Sequence, residues 1–216
     1  MDMKKILQVL SISAAITLTP NANAFSLGSV KEALGGGSKD SVDFGATETE
    51  VVGLINSSLK NLSKSQVIML RALGLKEDAA VAEKNANDLS KGEITGKDEL
   101  ADKIENSEAL SEKIVAKLKK KESLSADAKK EFTSGLLPYG KGVVAGTAGA
   151  KKAADAFKSM SSDPMNLKKF GTLVYVGKKA PGLLSMFADA TSVIKDFSLQ
   201  HGINTDELTA AVESGL

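Results

Sequence analysis

Apolar side chains recur at helical spacing along most of the chain. Between residues 47 and 74, Val51, Ile55 and Leu59 begin a line of apolar positions three or four residues apart, and a glycine ends it. No stretch alternates apolar and polar residues over the length of a typical strand. The best strand candidate, residues 173–176, lies inside a helical pattern. The pattern therefore predicts helices rather than sheets.

Start and stop signals divide the rest of the chain into further helices. The predicted spans are 76–90, 98–121, 125–137, 141–160, 164–177, 183–201 and a short helix after Asn204. The strongest signals are Pro138 and Gly140, which are expected to break or kink the chain, and Asp163 before Pro164, a helix start with a capping acid. We predict an all-α fold, an irregular multi-helix bundle of about seven to nine helices, with residues 47–216 as a single domain.

The N-terminal segment has the composition of a secretory signal peptide. Two lysines precede an apolar run of about 13 residues, and Ala22 and Ala24 place small residues before a cleavage site. A helix that spans a bilayer needs roughly 20 residues, so cleavage explains this run better than a membrane anchor does. We predict a signal peptide over 1–24, a mature chain that starts at Phe25, and export to the bacterial periplasm or out of the cell.

The segment after the predicted cleavage site carries three consecutive glycines at 35–37. Glycine loses more backbone entropy on ordering than any other residue, so this stretch opposes regular structure. We predict a flexible N-terminal segment over 25–46 that contains a Gly-rich linker.

Composition excludes several classes of function. Cleavage takes two lysines from the 28 basic residues and one aspartate from the 27 acidic ones, which leaves 26 of each and no net attraction to nucleic acid. The chain has no cysteine, so disulfides, thiol nucleophiles and thiolate metal sites are excluded, and the single His201 excludes a site with two imidazoles. We expect no cofactor and no nucleic-acid partner.

The most unusual segment, residues 140–154, is dominated by Gly and Ala. Each glycine costs roughly 1 kcal/mol relative to alanine inside a helix, and a closely packed neighbouring helix can offset that cost. We expect one face of this helix to be buried against another helix, with 164–178 or 183–200 as its neighbour. This candidate helix-packing or interaction face comprises Gly142, Ala145, Gly146, Gly149, Ala150 and Ala153.

Three interpretations of the Gly/Ala segment compete. Tight packing inside a bundle is favoured. The second is membrane insertion of a Gly/Ala-rich helix over 132–157 together with apolar helices over 170–197, although Lys141 and Asp189 interrupt these runs. The third is a phosphate-binding glycine loop, but no strand precedes the glycines and the Lys-Ser/Thr ending of a P-loop is missing.

The remaining reactive side chains form no recognised catalytic motif. His201 precedes a glycine and fits a helix C-terminus, and the lysines of 117–121 fit a solvated helix end. The carboxylates between 98 and 112 lack the loop of a calcium site, and no serine lies in a nucleophile-elbow motif. The sequence therefore favours a non-enzymatic exported protein that acts by protein–protein interaction or self-association, with a membrane-active or lipid-binding protein as the alternative.

Overall fold

The computed structural model describes residues 42–213 except 93, 95 and 162, so the predicted signal peptide and residues 25–41 of the predicted flexible segment lie outside the described residues. The boundary of that segment at 46 is wrong, because residues 44–46 belong to the first helix. Within those residues the chain forms eight α-helices and no strand. They are α1 (Phe44–Ala72), α2 (Lys76–Ser90), α3 (Lys97–Leu118), α4 (Ala126–Ser134), α5 (Leu136–Met160), α6 (Pro164–Lys169), α7 (Gly171–Gln200) and α8 (Asp206–Glu213). The prediction of an all-α fold is confirmed, and the strand candidate 173–176 lies within α7.

Three long helices bury residues at alternating steps of three and four. This spacing keeps one face of each helix toward its neighbours, as in left-handed coiled-coil packing. The buried lines are Val51, Ile55, Ser58, Leu62, Ser65, Met69 and Ala72 on α1; Tyr139, Gly142, Gly146, Gly149, Ala153, Ala156 and Met160 on α5; and Leu173, Val176, Ala180, Leu183, Phe187, Ala190, Ile194 and Phe197 on α7.

Helix α5 runs antiparallel to α1. Going forward along α5, Gly142, Gly146 and Gly149 face residues progressively earlier in α1, from Leu62 to Ile55. On α7, Gly177 faces Ala153 and Phe187 faces Gly146, so α7 is also antiparallel to α5 and parallel to α1. Helices α2 and α3 pack on α1, and α3 also packs on α7.

Two predicted helix boundaries are wrong at the start of α5. The chain breaks at Gly135, which ends α4 and precedes α5, and Pro138 and Gly140 lie inside α5. The first four N–H groups of a helix have no partner within it, so a proline in the first turn loses no hydrogen bond. The proposed apolar helix over 132–157 is therefore two helices.

Two further boundaries are wrong in the C-terminal part. The helix that begins at Pro164 ends at Lys169, and α7 then continues through Gly177 and Pro181 to Gln200, so 170–197 contributes one long helix. Proline inside a helix removes one backbone hydrogen bond. Buried side chains on both sides of Pro181, from Leu173 to Phe197, outweigh that loss and keep the helix continuous.

The first turn of α7 depends on a side chain from α1. Residue Phe170 precedes α7 and makes no side-chain cap, but Glu48 Oε1 accepts hydrogen bonds from the backbone N–H groups of Thr172 and Leu173, each at 3.1 Å. A carboxylate at a helix N-terminus satisfies orphan N–H groups and interacts favourably with the helix dipole. Glu48 thereby fastens the start of α7 to α1.

We expect Glu48→Ala to lower the free energy of unfolding by about 1 kcal/mol, because it removes this cap. Urea denaturation followed by circular dichroism measures the change. Glu50→Ala is the matched control, since Glu50 lies on the same helix and forms only an exposed ion pair with Lys152. Such pairs contribute little. A loss in Glu50→Ala as large as that in Glu48→Ala would contradict the capping role.

Candidate functional site

The Gly/Ala face of α5 lies inside the bundle. Five of its six residues are buried, and only Ala145 is half-buried. A Cβ atom at Gly142 would lie 2.7 Å from Leu62 Cγ, and one at Gly149 would lie 3.0 Å from Ile55 Cδ1. Ordinary carbon contacts are about 3.5–4.0 Å. The glycines therefore let the α5 backbone approach α1 more closely than alanines would.

Because the helices approach closely and glycine has no side chain, serine side chains of α1 can form hydrogen bonds with backbone carbonyl groups of the opposite segment. Ser58 Oγ donates to the carbonyl oxygen of Gly142 at 2.7 Å, and Ser65 Oγ donates to that of Gly135 at 2.8 Å. The two serines are seven residues apart, and so are the two glycines. One such hydrogen bond therefore lies within the α1–α5 contact, and the second lies one heptad away at Gly135, the residue that precedes α5.

Helix α7 packs against the Gly/Ala face of α5 from the side opposite to α1. At Gly146 a Cβ atom would lie 2.6 Å both from Phe187 Cε2 and from Ser58 Oγ, so this glycine is enclosed by α1 and α7 together. On α7, a Cβ atom at Gly177 would lie 2.7 Å from the carbonyl oxygen of Ala153. The neighbour predicted from the sequence is thus wrong in part, because α1 is the main partner of the Gly/Ala face and α7 the second.

Packing within the chain occupies the small residues of α5. The nearest atoms to Gly142, Gly146 and Gly149 belong to α1 and α7 of the same molecule. In this arrangement they offer no surface to a second protein. A candidate interaction surface must therefore be sought elsewhere on the bundle.

Tyr139 is the buried titratable side chain of α5. Its hydroxyl lies 3.2 Å from Thr191 Oγ1 of α7, and burial raises the pKa of this phenol. The phenol is therefore neutral at physiological pH, and it joins α5 to α7 as a packed aromatic side chain with one polar contact. It is not positioned as an acid or base for chemistry.

The other polar groups that the sequence singled out, such as His201 and Lys117, form contacts that stabilise the fold. His201 caps the C-terminus of α7, its ring lies 4.2 Å from that of Phe197, and Lys129 donates to its backbone carbonyl at 2.8 Å. Lys117 pairs with Glu122. Across the described ranges, no group of three or more His, Asp or Glu residues is arranged to hold a metal ion.

The solvent-facing side of α7 is a surface that the sequence patterns did not single out. Six residues between Ala180 and Ile194 are exposed, and only one of them is charged. They are Pro181, Gly182, Ser185, Ala188, Asp189 and Ser192, called here the outer face of α7. By contrast, seven of the nine exposed residues between Lys97 and Lys113 of α3 are charged. The low charge of residues 180–194 could have indicated this surface from the sequence. Periodicity alone did not show which side of the helix faces solvent.

Two further features mark the outer face of α7. Gly182 is exposed, and no atom beyond its chain neighbours and its own stretch of helix backbone lies within 4 Å of the position its Cβ would take, so the packing around it does not require glycine there. Leu199 lies seven residues beyond Ser192 and is 61% exposed, but the exposed and charged Lys195 and Asp196 lie between them. The outer face of α7 is therefore a short stretch with one charge, bounded by the exposed Lys178 on one side and by Lys195 and Asp196 on the other.

None of the helices in the described residues is both long enough and apolar enough to cross a membrane. The chain matches no protein-family model, and no curated protein and no solved structure is significantly similar to it.

Proposed function

We propose that this is an exported, non-enzymatic helical protein that acts by binding another protein or a second copy of itself. The observation that carries the proposal is the outer face of α7. Charged residues are depleted at the centres of protein interfaces, whereas the solvated helices of this bundle are densely charged, as on α3. A nearly uncharged face on a fully exposed helix side is therefore the surface best suited to a partner.

Backbone preferences along the outer face support the same conclusion. Pro181 removes a helical hydrogen bond, and Gly182 costs roughly 1 kcal/mol relative to alanine. Contacts within the chain do not offset the glycine, since its Cβ position is empty. A partner helix that approaches this point closely would offset it, as small residues do at tightly packed helix pairs.

Export is the second part of the proposal, and it rests on the signal-peptide pattern of residues 1–24. Export to the periplasm or the cell exterior would place the interaction there. Mass spectrometry of the protein recovered from the periplasm or medium tests this part of the proposal. We expect the mass of a chain whose first residue is Phe25.

We expect Ala188→Arg to disrupt association, because it places a long charged side chain at the centre of the outer face. The measurement is chemical crosslinking in the producing cells, combined with light scattering of the purified protein. We expect at least a tenfold loss of the crosslinked species. Ala80→Arg is the matched control, since Ala80 is also an exposed helical alanine but lies on α2.

Both variants are expected to keep the melting temperature of the parent protein, because both sites are exposed. A parent protein that is strictly monomeric and yields no crosslinked partner in cells would overturn the proposal. Equal loss of association in Ala188→Arg and Ala80→Arg would overturn the assignment to α7.

A lipid surface is the second candidate partner, since the low charge of the outer face and the exposed Leu199 would also suit the membrane interface. Deep insertion of α5 and α7 would require the contacts of Gly142 and Gly146 with α1 to break. Liposome flotation separates the two candidates. Protein that stays at the bottom of the gradient at every lipid composition excludes the lipid alternative.

A further inference from the structure

Two opposite charges on α7 are placed symmetrically about one residue, Phe187. Phe187 is buried, and its ring lies against Gly146 of α5, so the opposite side of α7 at this level faces solvent. Lys178 lies nine residues before Phe187 and Asp196 nine residues after it, which is about two and a half helical turns in each direction. Both charged residues are exposed. They therefore lie on the side of α7 opposite to Phe187, in line with the outer face and one at each end of it.

Both of these charges are available to another molecule. Within the part of the chain that the structure describes, neither Lys178 nor Asp196 forms an ion pair, although the Nζ of Lys178 lies 5.8 Å from the centre of the Phe157 ring. About 27 Å of helix separates the two charges, so they cannot pair with each other in one chain. The neighbouring Lys179 differs, because it lies 3.5 Å from Glu108 of α3.

An antiparallel pair of α7 helices, with Phe187 of both chains at the level of a two-fold axis, would bring these opposite charges together. Lys178 of each copy would lie beside Asp196 of the other, and symmetry would make this contact twice. Asp189, two residues after Phe187, would lie opposite Ser185, two residues before it, and a hydroxyl can donate to a carboxylate. A parallel pair would instead place like charges together at 178, 189 and 196, which is unfavourable. The charge pattern therefore favours the antiparallel pair.

The residues between the two charges suit a second helix of the same sequence. Gly182 and Ser192 lie five residues before and after Phe187, so they would face each other across the pair, and small residues let helices approach closely. Half-buried apolar side chains flank the outer face on both sides and would become more buried on pairing. They are Leu184, Met186 and Val193.

The neighbouring helix α3 has a charge polarity that favours the same orientation. It runs parallel to α7, since Lys97 lies near Gly171 at the start of both helices and Glu108 lies near Lys179 further along. Its first half is rich in exposed acids, and three exposed lysines follow its last residues. The acids are Asp98, Glu99, Asp102 and Glu105, and the lysines are Lys119, Lys120 and Lys121. An antiparallel approach turns the acidic end of each α3 toward the basic end of the other, which favours encounter in that orientation.

We propose that the partner of the outer face of α7 is a second copy of this chain, in a two-fold dimer whose α7 helices pack antiparallel about Phe187. This inference rests on the proposed function and specifies its partner. One helix pair is a small contact, and exposed ion pairs add little to affinity, so the dimer is expected to be weak and salt-sensitive. The charges fix the orientation of the pair, and the uncharged residues between them supply the contact area.

Charge reversal at the two positions tests this arrangement, with sedimentation equilibrium of the purified protein at low salt as the measurement. Lys178→Glu alone and Asp196→Lys alone each place like charges at both contacts of the dimer. Each is expected to weaken dimerisation at least tenfold. An equimolar mixture of the two variants is expected to recover the parent affinity to within about threefold, because both contacts in the mixed dimer again join opposite charges. A chain that carries both substitutions is expected to recover it as well.

Lys195→Glu is the matched control. Lys195 is an exposed charge next to Asp196, but it lies about 100° around the helix from it, at the edge of the outer face. We expect this variant to dimerise at least as well as the parent protein. All the variants are expected to keep the parent melting temperature, because the three sites are exposed. The losses in the single variants should shrink in 1 M salt, where the screening length falls to about 3 Å.

The outcomes separate this inference from the proposed function. A parent protein that dimerises, with a mixture that stays as weak as the single variants, would overturn the antiparallel pairing and leave the proposed function standing. A parent protein that is monomeric at every concentration would overturn the second-copy proposal. Crosslinking in cells then decides about the proposed function, which stands if position 188 captures a different protein and fails if no partner is captured.

Discussion

Replacing Gly146 by leucine is expected to destabilise the protein by about 3 kcal/mol. Even a single Cβ atom there would lie 2.6 Å from Phe187 Cε2 and from Ser58 Oγ, so the leucine must push α5 away from both α1 and α7. Helix propensity works the other way, but it favours leucine over glycine by under about 1 kcal/mol. Steric overlap therefore outweighs propensity. A domain of this size should lose about 6–12 °C in melting temperature.

Gly53→Ala is the control for this variant, because Gly53 is also a glycine inside a long helix. No atom beyond its chain neighbours and its own stretch of helix backbone lies within 4 Å of the position of its Cβ, so only the gain in propensity remains. We expect this variant to be more stable than the parent by about 0.5–1 kcal/mol. Thermal unfolding by circular dichroism compares the two. A melting temperature that is unchanged or raised in Gly146→Leu would mean that the glycine face is not enclosed.

Leu62→Ala is expected to cost about 2–5 kcal/mol, because it empties the space above Gly142 in the centre of the α1–α5 contact. Leu62 is 3% exposed, and a Cβ at Gly142 would meet its Cγ at 2.7 Å and its Cδ2 at 2.9 Å. Gly142→Ala alone is expected to cost about 1–3 kcal/mol. When both substitutions are present, the leucine side-chain atoms that obstruct the new Cβ atom at position 142 are gone.

The double variant should therefore be more stable than the sum of the two single losses predicts, by about 1 kcal/mol or more. The steric overlap at position 142 is only partly removed, since the Leu62 backbone nitrogen would still lie 3.0 Å from the new Cβ. Urea denaturation of the parent, both single variants and the double variant completes the cycle. Strictly additive losses would show that Leu62 does not fill the space left by Gly142.

Sequence periodicity was sufficient to predict the all-α fold, because helical spacing is a local property. It was less successful at helix ends. Pro138 was expected to break the chain, but a proline in a first turn loses no hydrogen bond, and Gly135 provides the break instead. Pro181 lies inside α7 because the buried residues on both sides of it hold the helix together.

The choice of helix partners could not be predicted from the same patterns. The small residues of α5 indicated a close neighbour but not which one. The α1 contact depends on Ser58 and Ser65, polar residues that an apolar pattern passes over. Whether a small residue faces inward or outward is likewise a tertiary property. Gly146, in a Gly/Ala-rich helical segment, is enclosed by neighbouring helices. Gly182, next to a proline inside a helix, faces solvent.

Site-specific photocrosslinking in the producing cells decides whether the outer face of α7 is where the protein meets its partner. A photoreactive amino acid replaces Ala188 in one variant and Ala80 of α2 in the other, both exposed helical alanines. We expect a discrete intermolecular adduct from position 188 and none from position 80. Adducts from position 80 alone, or from neither position while chemical crosslinking still captures a partner, would contradict it.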